Sequence, residues 1–149
     1  MSKPEPIVTE IELAKHFRFM YSNFVMSSQQ ILYLMLSRSN EYIDVLEFDF
    51  SLYKYGYPND EVGHPLMKYG LGFYGFFEVF NSSWIEEIRL NNSSHRSHSN
   101  SMFSNRRHFI AKFKDLTLEI IANNYELKSL PKEFFKDFLD QQFKHLDND

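Results

Sequence analysis

Residues 108–122 read HFIAKFKDLTLEIIA. In the first half Phe109, Ala111 and Phe113 alternate with polar partners, and in the second Leu116, Leu118 and Ile120 alternate with Thr117 and Glu119. Period two on both sides of Lys114-Asp115 predicts two strands joined by a tight turn, each with one face in a core. The fold must therefore contain an antiparallel hairpin, and the rest of the chain is read around it.

Upstream, Tyr42–Tyr53 sets Leu46, Phe48, Phe50 and Leu52 against Glu47, Asp49 and Ser51, again with period two. Ile43 and Val45 fall in the opposite phase, which predicts a β-bulge between Val45 and Leu46. Residues 30–37 form a short apolar run that reads as a buried strand, with helix as the alternative. Residues 72–80 are almost wholly aromatic or glycine, as a central strand covered on both faces would be. Helices are expected at three places. Thr9 and Glu12 match a capping box ahead of Leu13, Phe17, Met20, Tyr21 and Phe24; Ser83 and Glu86 match another, with Trp84, Ile85 and Ile88 on one face. Pro131 suits a first helical residue before the stripe Phe134, Phe135, Phe138, Leu139 and Phe143. Residues 54–72 and 91–107 read as loops. The expectation is one α+β domain over 1–149: a mainly antiparallel sheet of about five strands with an N-terminal, a middle and a C-terminal helix. The order lacks the alternating crossovers of a doubly wound sheet.

Composition narrows the chemistry. The 149 residues include no cysteine, so disulfides, thiol catalysis and zinc ribbons are excluded. Aromatic residues make up 17% against only 5 glycines, which favours a sheet packed with large side chains over a glycine-rich phosphate cradle. No run approaches the roughly 20 apolar residues that span a bilayer, and the start carries Glu5, Glu10 and Glu12 instead of a signal peptide. The sequence thus predicts a cytoplasmic protein with no membrane partner.

The net charge of −4 is unevenly spread. Glu41, Asp44, Glu47, Asp49, Asp60 and Glu61 face a single base, Lys54, and are interleaved with Tyr53, Tyr55 and Tyr57. Carboxylates steer a cationic partner and tyrosines supply buried area, so Glu47, Asp49, Tyr53, Tyr55, Tyr57, Asp60 and Glu61 are the expected partner-binding residues. The plainer account is a solvated strand face whose charges prevent edge pairing. Arg89, Arg96, Arg106 and Arg107 with His95 and His98 form a basic stretch, yet four arginines on an acidic chain disfavour nucleic acid as partner. His95, His98 and His108 are the candidate metal or phosphodiester set, with Arg106 or Arg107 to stabilise charge. The His95-Arg-Ser-His98 spacing lacks the glutamate of a helical zinc motif. On their strand Asp115, Thr117 and Glu119 form a polar row beside Lys112 or Lys114, for which cross-strand ion pairing is the simplest account; His64 could pack against that row or line a pocket, a satisfied structural histidine being the plainer reading. No cofactor, metal or catalytic residue is expected.

Gly63-His64-Pro65-Leu66, Phe77-Glu78-Val79 to Asn81-Ser82-Ser83-Trp84-Ile85, and His108-Phe109-Ile110 to Asp115, Thr117 and Glu119 resemble a pattern of small uncharacterised bacterial proteins. That resemblance implies no activity. In size, acidity and lack of a catalytic signature the chain is also similar to immunity proteins of bacterial toxin systems, which implies a protein that binds and neutralises a basic toxin nuclease. The alternatives are a His/Arg phosphodiesterase or metal-dependent enzyme built on His95, His98 and His108, and a structural or regulatory subunit that oligomerises through Phe73–Phe80.

Overall fold

In a computed structural model the described residues are 4–21, 24–28, 30–56, 58, 63–95, 99 and 103–147. They form one antiparallel sheet of seven strands: β1 (Ile7–Glu10), β2 (Val25–Ser27), β3 (Ile31–Arg38), β4 (Tyr42–Gly56), β5 (Gly75–Phe80), β6 (Arg107–Phe113) and β7 (Leu116–Pro131). Two α-helices, α1 (Ser83–Asn92) and α2 (Lys132–Asp147), and a 3-10 turn at Pro65–Tyr69 complete the described elements. The strand order is β1-β5-β6-β7-β4-β3-β2. The expectation of about five strands and three helices is therefore corrected: the sheet is larger, and the N-terminal helix does not form.

The reason lies in long-range pairing. Thr9 does not cap a helix; it stands in register with Glu78, and Ile7–Glu10 adds an edge strand to β5. A capping box is a local preference worth about 1 kcal/mol, which a ladder of interstrand hydrogen bonds outweighs. Residues 11–19 then cross one face of the sheet and insert Phe17 and Phe19 into the core. The predicted 108–122 hairpin forms, with Asp115 at φ 70° in its turn. Strand β7 runs on to Pro131, so this proline ends a strand and Lys132 starts the helix.

One face of the sheet carries the main core, including Leu34, Leu46, Phe48, Phe76, Phe109, Phe113, Leu118 and Ile120. Alternation puts His108, Ile110 and Lys112 of β6, and Thr117, Glu119 and Ile121 of β7, on the other face. Val45 and Leu46 are both buried because each face is covered there. The irregularities in the pairing of β4 with β7 fall between Phe48 and Phe50 and between Phe50 and Leu52, and that with β3 falls between Met35 and Ser37, opposite Val45 and Asp44; the extra residue there belongs to β3, and none falls between Val45 and Leu46. Strand β5 lies second from the edge, between β1 and β6. Helix α2 docks through Tyr33, whose ring meets those of Phe134, Phe135 and Phe138 edge-on at 5.7 Å each. Among the described residues, no helix is long and apolar enough to cross a membrane.

Candidate functional site

Of the expected partner-binding residues, the four that are described, Glu47, Asp49, Tyr53 and Tyr55, are engaged in different places. Glu47 stands opposite Tyr33 on the face covered by α2, and its carboxylate is held by Lys128 at 3.1 Å. Asp49 accepts the backbone amide of Asn124 at 2.9 Å. Tyr53 packs against the main core and shares a 2.9 Å hydrogen bond with Ser27. Tyr55 is exposed near the end of β4, where partial burial raises its pKa. Tyr57, Asp60 and Glu61 lie outside the described residues. The neighbouring Asp44 is also engaged, by Lys15 and Ser37 at 2.7 Å each. Burial pushes its carboxyl up, but those hydrogen bonds outweigh it and leave the pKa below the ordinary value. Burial, reinforced by Glu47, pushes the Tyr33 hydroxyl up to about 12.

Of the expected set, Tyr55 joins a different surface. Together with Phe24, Met26, Met35, Phe135 and Leu139 it lines an open groove of about 860 Å³ between the β2–β3 end of the sheet and α2. Tyr21 and Phe24 at its rim are 72% and 64% exposed. Farther along α2, Phe143 and Leu146 are 53% and 66% exposed and continue the stripe of Leu139. Large apolar side chains gathered in this way exceed the scattered exposure of an ordinary surface. The charged residues lining the groove are Arg38 and Lys136, both cations. Strand β2 closes the sheet on this side, and among the described residues no strand pairs with its outer edge.

A second feature is buried beneath α1. Glu119 receives His108 Nε2 at 2.8 Å on one oxygen and His64 Nε2 at 2.9 Å on the other. Ser82 Oγ lies 2.8 Å from His108 Nδ1. All four side chains are buried. The surrounding amides fix the protons: Leu66 N–H donates to His64 Nδ1, so the opposite ring nitrogen donates to Glu119. The carboxylate only accepts, so His108 donates to it through Nε2 and its Nδ1 accepts from the Ser82 hydroxyl. Ser82 in turn accepts the Ile85 amide at 3.2 Å and so caps α1, one residue earlier than the sequence suggests. Burial pushes the Glu119 carboxyl up, yet the hydrogen bonds from His108 and His64 win and lower its pKa from 4.5 to about 2. Trp84 meets the His108 ring edge-on at 5.3 Å, and Lys54 lies 4.1 Å above Trp84.

The predicted histidine trio is not assembled. His108 is committed to Ser82 and Glu119, His95 is exposed just past α1, and His98 lies outside the described residues. Among the described residues, no group of three His, Cys, Asp or Glu side chains is arranged to hold a metal ion. His64 does pack against the polar row of β7, through Glu119. Ser82 carried no sequence signal beyond its place before a helix. Compared with protein-family models, with curated proteins and with solved structures, the chain matches none.

Proposed function

We propose that this chain is a protein-binding module that takes an extended segment of its partner along the outer edge of β2, with the segment's apolar side chains in the groove beside α2. The observation that carries the reading is the coincidence of an outer strand edge, unpaired among the described residues, with an exposed apolar groove. An added strand gains main-chain hydrogen bonds from the edge, and pockets beside it read alternate side chains. Arg38 and Lys136 favour a carboxylate in the incoming segment.

The immunity role expected from the sequence stays our finer proposal, with its contact moved. Asp44, Glu47 and Asp49 are engaged within the chain, so a cationic toxin cleft has little free carboxylate to meet there. A toxin domain would instead be held by an apolar, acid-bearing segment, and among the described residues Tyr55 is the expected one that serves this contact. The reading takes the protein to be cytoplasmic, as its composition suggests.

Selection from a displayed library of short random peptides tests the proposal, with the Tyr55→Lys and Leu139→Asp double variant used to remove non-specific binders. Peptides with alternating apolar residues and at least one acid are expected to enrich on the wild type alone. Equal enrichment on both proteins refutes the reading. Concentration-dependent dimerisation abolished by the same substitutions also refutes it, by making a second copy the occupant.

A further inference from the structure

Apart from the groove, the molecule holds a nucleophile beside a base. Ser82 Oγ is 2.8 Å from His108 Nδ1, and the far nitrogen of the same ring is 2.8 Å from Glu119, itself anchored by His64. The Glu119 carboxylate can only accept, so His108 donates to it through Nε2, and Nδ1 of the neutral ring is the acceptor of the serine hydroxyl proton. Ser82 also forms part of the wall of an open cavity of about 1130 Å³, whose sides include Leu66, Val79, Phe80 and Ile85. Arg106 and Arg107 stand at the same cavity, Arg107 being held by Glu78 through two 2.7 Å bonds. A strand (β5), a residue at positive φ (Asn81, 56°) and a helix start deliver the serine to this wall.

We propose that Ser82 is a nucleophile activated by His108, forming an acyl-serine with small esters that carry an apolar acyl group. Attack by Oγ on the ester carbonyl forms the Oγ–C bond while the hydroxyl proton passes to His108 Nδ1. Collapse breaks the bond to the leaving alkoxide, which takes that proton from His108 and departs as the alcohol. Water, activated by the same ring nitrogen, then hydrolyses the acyl-serine and restores Oγ–H. Either imidazole nitrogen can serve as the base; here the carboxylate occupies Nε2 and leaves Nδ1 for the serine. The first-turn amides of α1 follow Ser82 directly and are the nearest donors in sequence for the oxygen that attack would charge. His108 and Ser82 are the catalytic residues, whereas Glu119 and His64 position the ring. The walls named above set the apolar preference.

The experiment is labelling of the full-length protein with an alkyl fluorophosphonate, whose phosphorus takes Ser Oγ as fluoride leaves, followed by intact mass and peptide mapping. The expected result is a single adduct on Ser82. Its rate should fall about a hundredfold in His108→Gln and stay unchanged in Ser39→Ala, a serine exposed in the β3–β4 turn. Glu119→Gln should change the pH profile of labelling, which a loss of packing alone would not do. A folded wild type that remains unlabelled under prolonged excess of probe overturns the proposal. So does labelling of Ser82 at the same rate in folded His108→Gln, and Ser82 is then the cap of α1 and nothing more.

Discussion

Replacing Glu119 by leucine should be among the most damaging single changes, and replacing it by glutamine much milder. The carboxylate accepts two buried imidazole N–H groups, from His108 and His64. Leucine leaves both donors without an acceptor in a buried site, at about 1–3 kcal/mol each, so the expected loss is about 2–6 kcal/mol. Glutamine keeps one acceptor oxygen but turns an amide NH₂ towards the other ring. His64 cannot adapt, because its Nδ1 is tied to the Leu66 amide. His108 can, by moving its proton to Nδ1 and donating to Ser82, so the glutamine variant should lose only about 1–2 kcal/mol. Urea unfolding at pH 7 suits the measurement, with fluorescence of Trp84, the single tryptophan, reporting from beside His108. A leucine variant no less stable than the glutamine variant would refute the proton order assigned to this cluster.

Other outcomes follow from the same geometry. The folded-state pKa of Glu119, about 2, lies below its ordinary 4.5, so the folded protein binds fewer protons than the unfolded chain between those values. Its stabilising contribution is full above pH 4.5 and falls as pH drops towards 2, by about 1.4 kcal/mol per pH unit at most; acid titration of stability should show that component in the wild type and not in Glu119→Gln. Truncating Phe109, fully buried in the main core, to alanine should cost about 3–5 kcal/mol by chemical denaturation. Phe138→Ala removes one of three rings around Tyr33 and should expose α2 to proteolysis before the sheet, as limited digestion with mass analysis would show. Arg107→Ala strips Glu78 of its two-bond partner while that carboxylate stays largely buried, and should lower the melting temperature more than Lys136→Ala does on the exposed face of α2.

Strand periodicity was legible wherever one face of the sheet meets the core, as at Phe109, Ala111 and Phe113 or Leu116, Leu118 and Ile120. It failed where local and distant preferences compete. Thr9 and Glu12 read as a cap, but pairing of Thr9 with Glu78 lies 69 positions away and leaves no local trace. Tyr21 and Phe24 were placed on the inner face of a helix that does not form, and they stand instead at the rim of the groove. The acids of β4 were visible, whereas Lys128, which reaches Glu47 diagonally from its place opposite Val45, and Lys15 beside Asp44 arrive through tertiary pairing. For the buried cluster, the row containing Glu119 could be anticipated from alternation, whereas its contact with His64, which comes from a loop without periodicity, was only one of the placements open to that residue. The meeting of Ser82 with His108 depends on β5 lying beside β6, and strand order is not written in periodicity.

The most direct test of the binding surface is a nuclear magnetic resonance titration of the labelled protein with a peptide from the proposed selection, repeated with an arginine-rich peptide of equal length. The acid-bearing apolar peptide is expected to move the signals of Val25–Ser27, Tyr55, Phe135 and Leu139 and leave Glu47 and Asp49 in place, while the basic peptide moves none of them. Shifts centred on Glu47 and Asp49 with the basic peptide, and a silent groove with the other, would contradict the account.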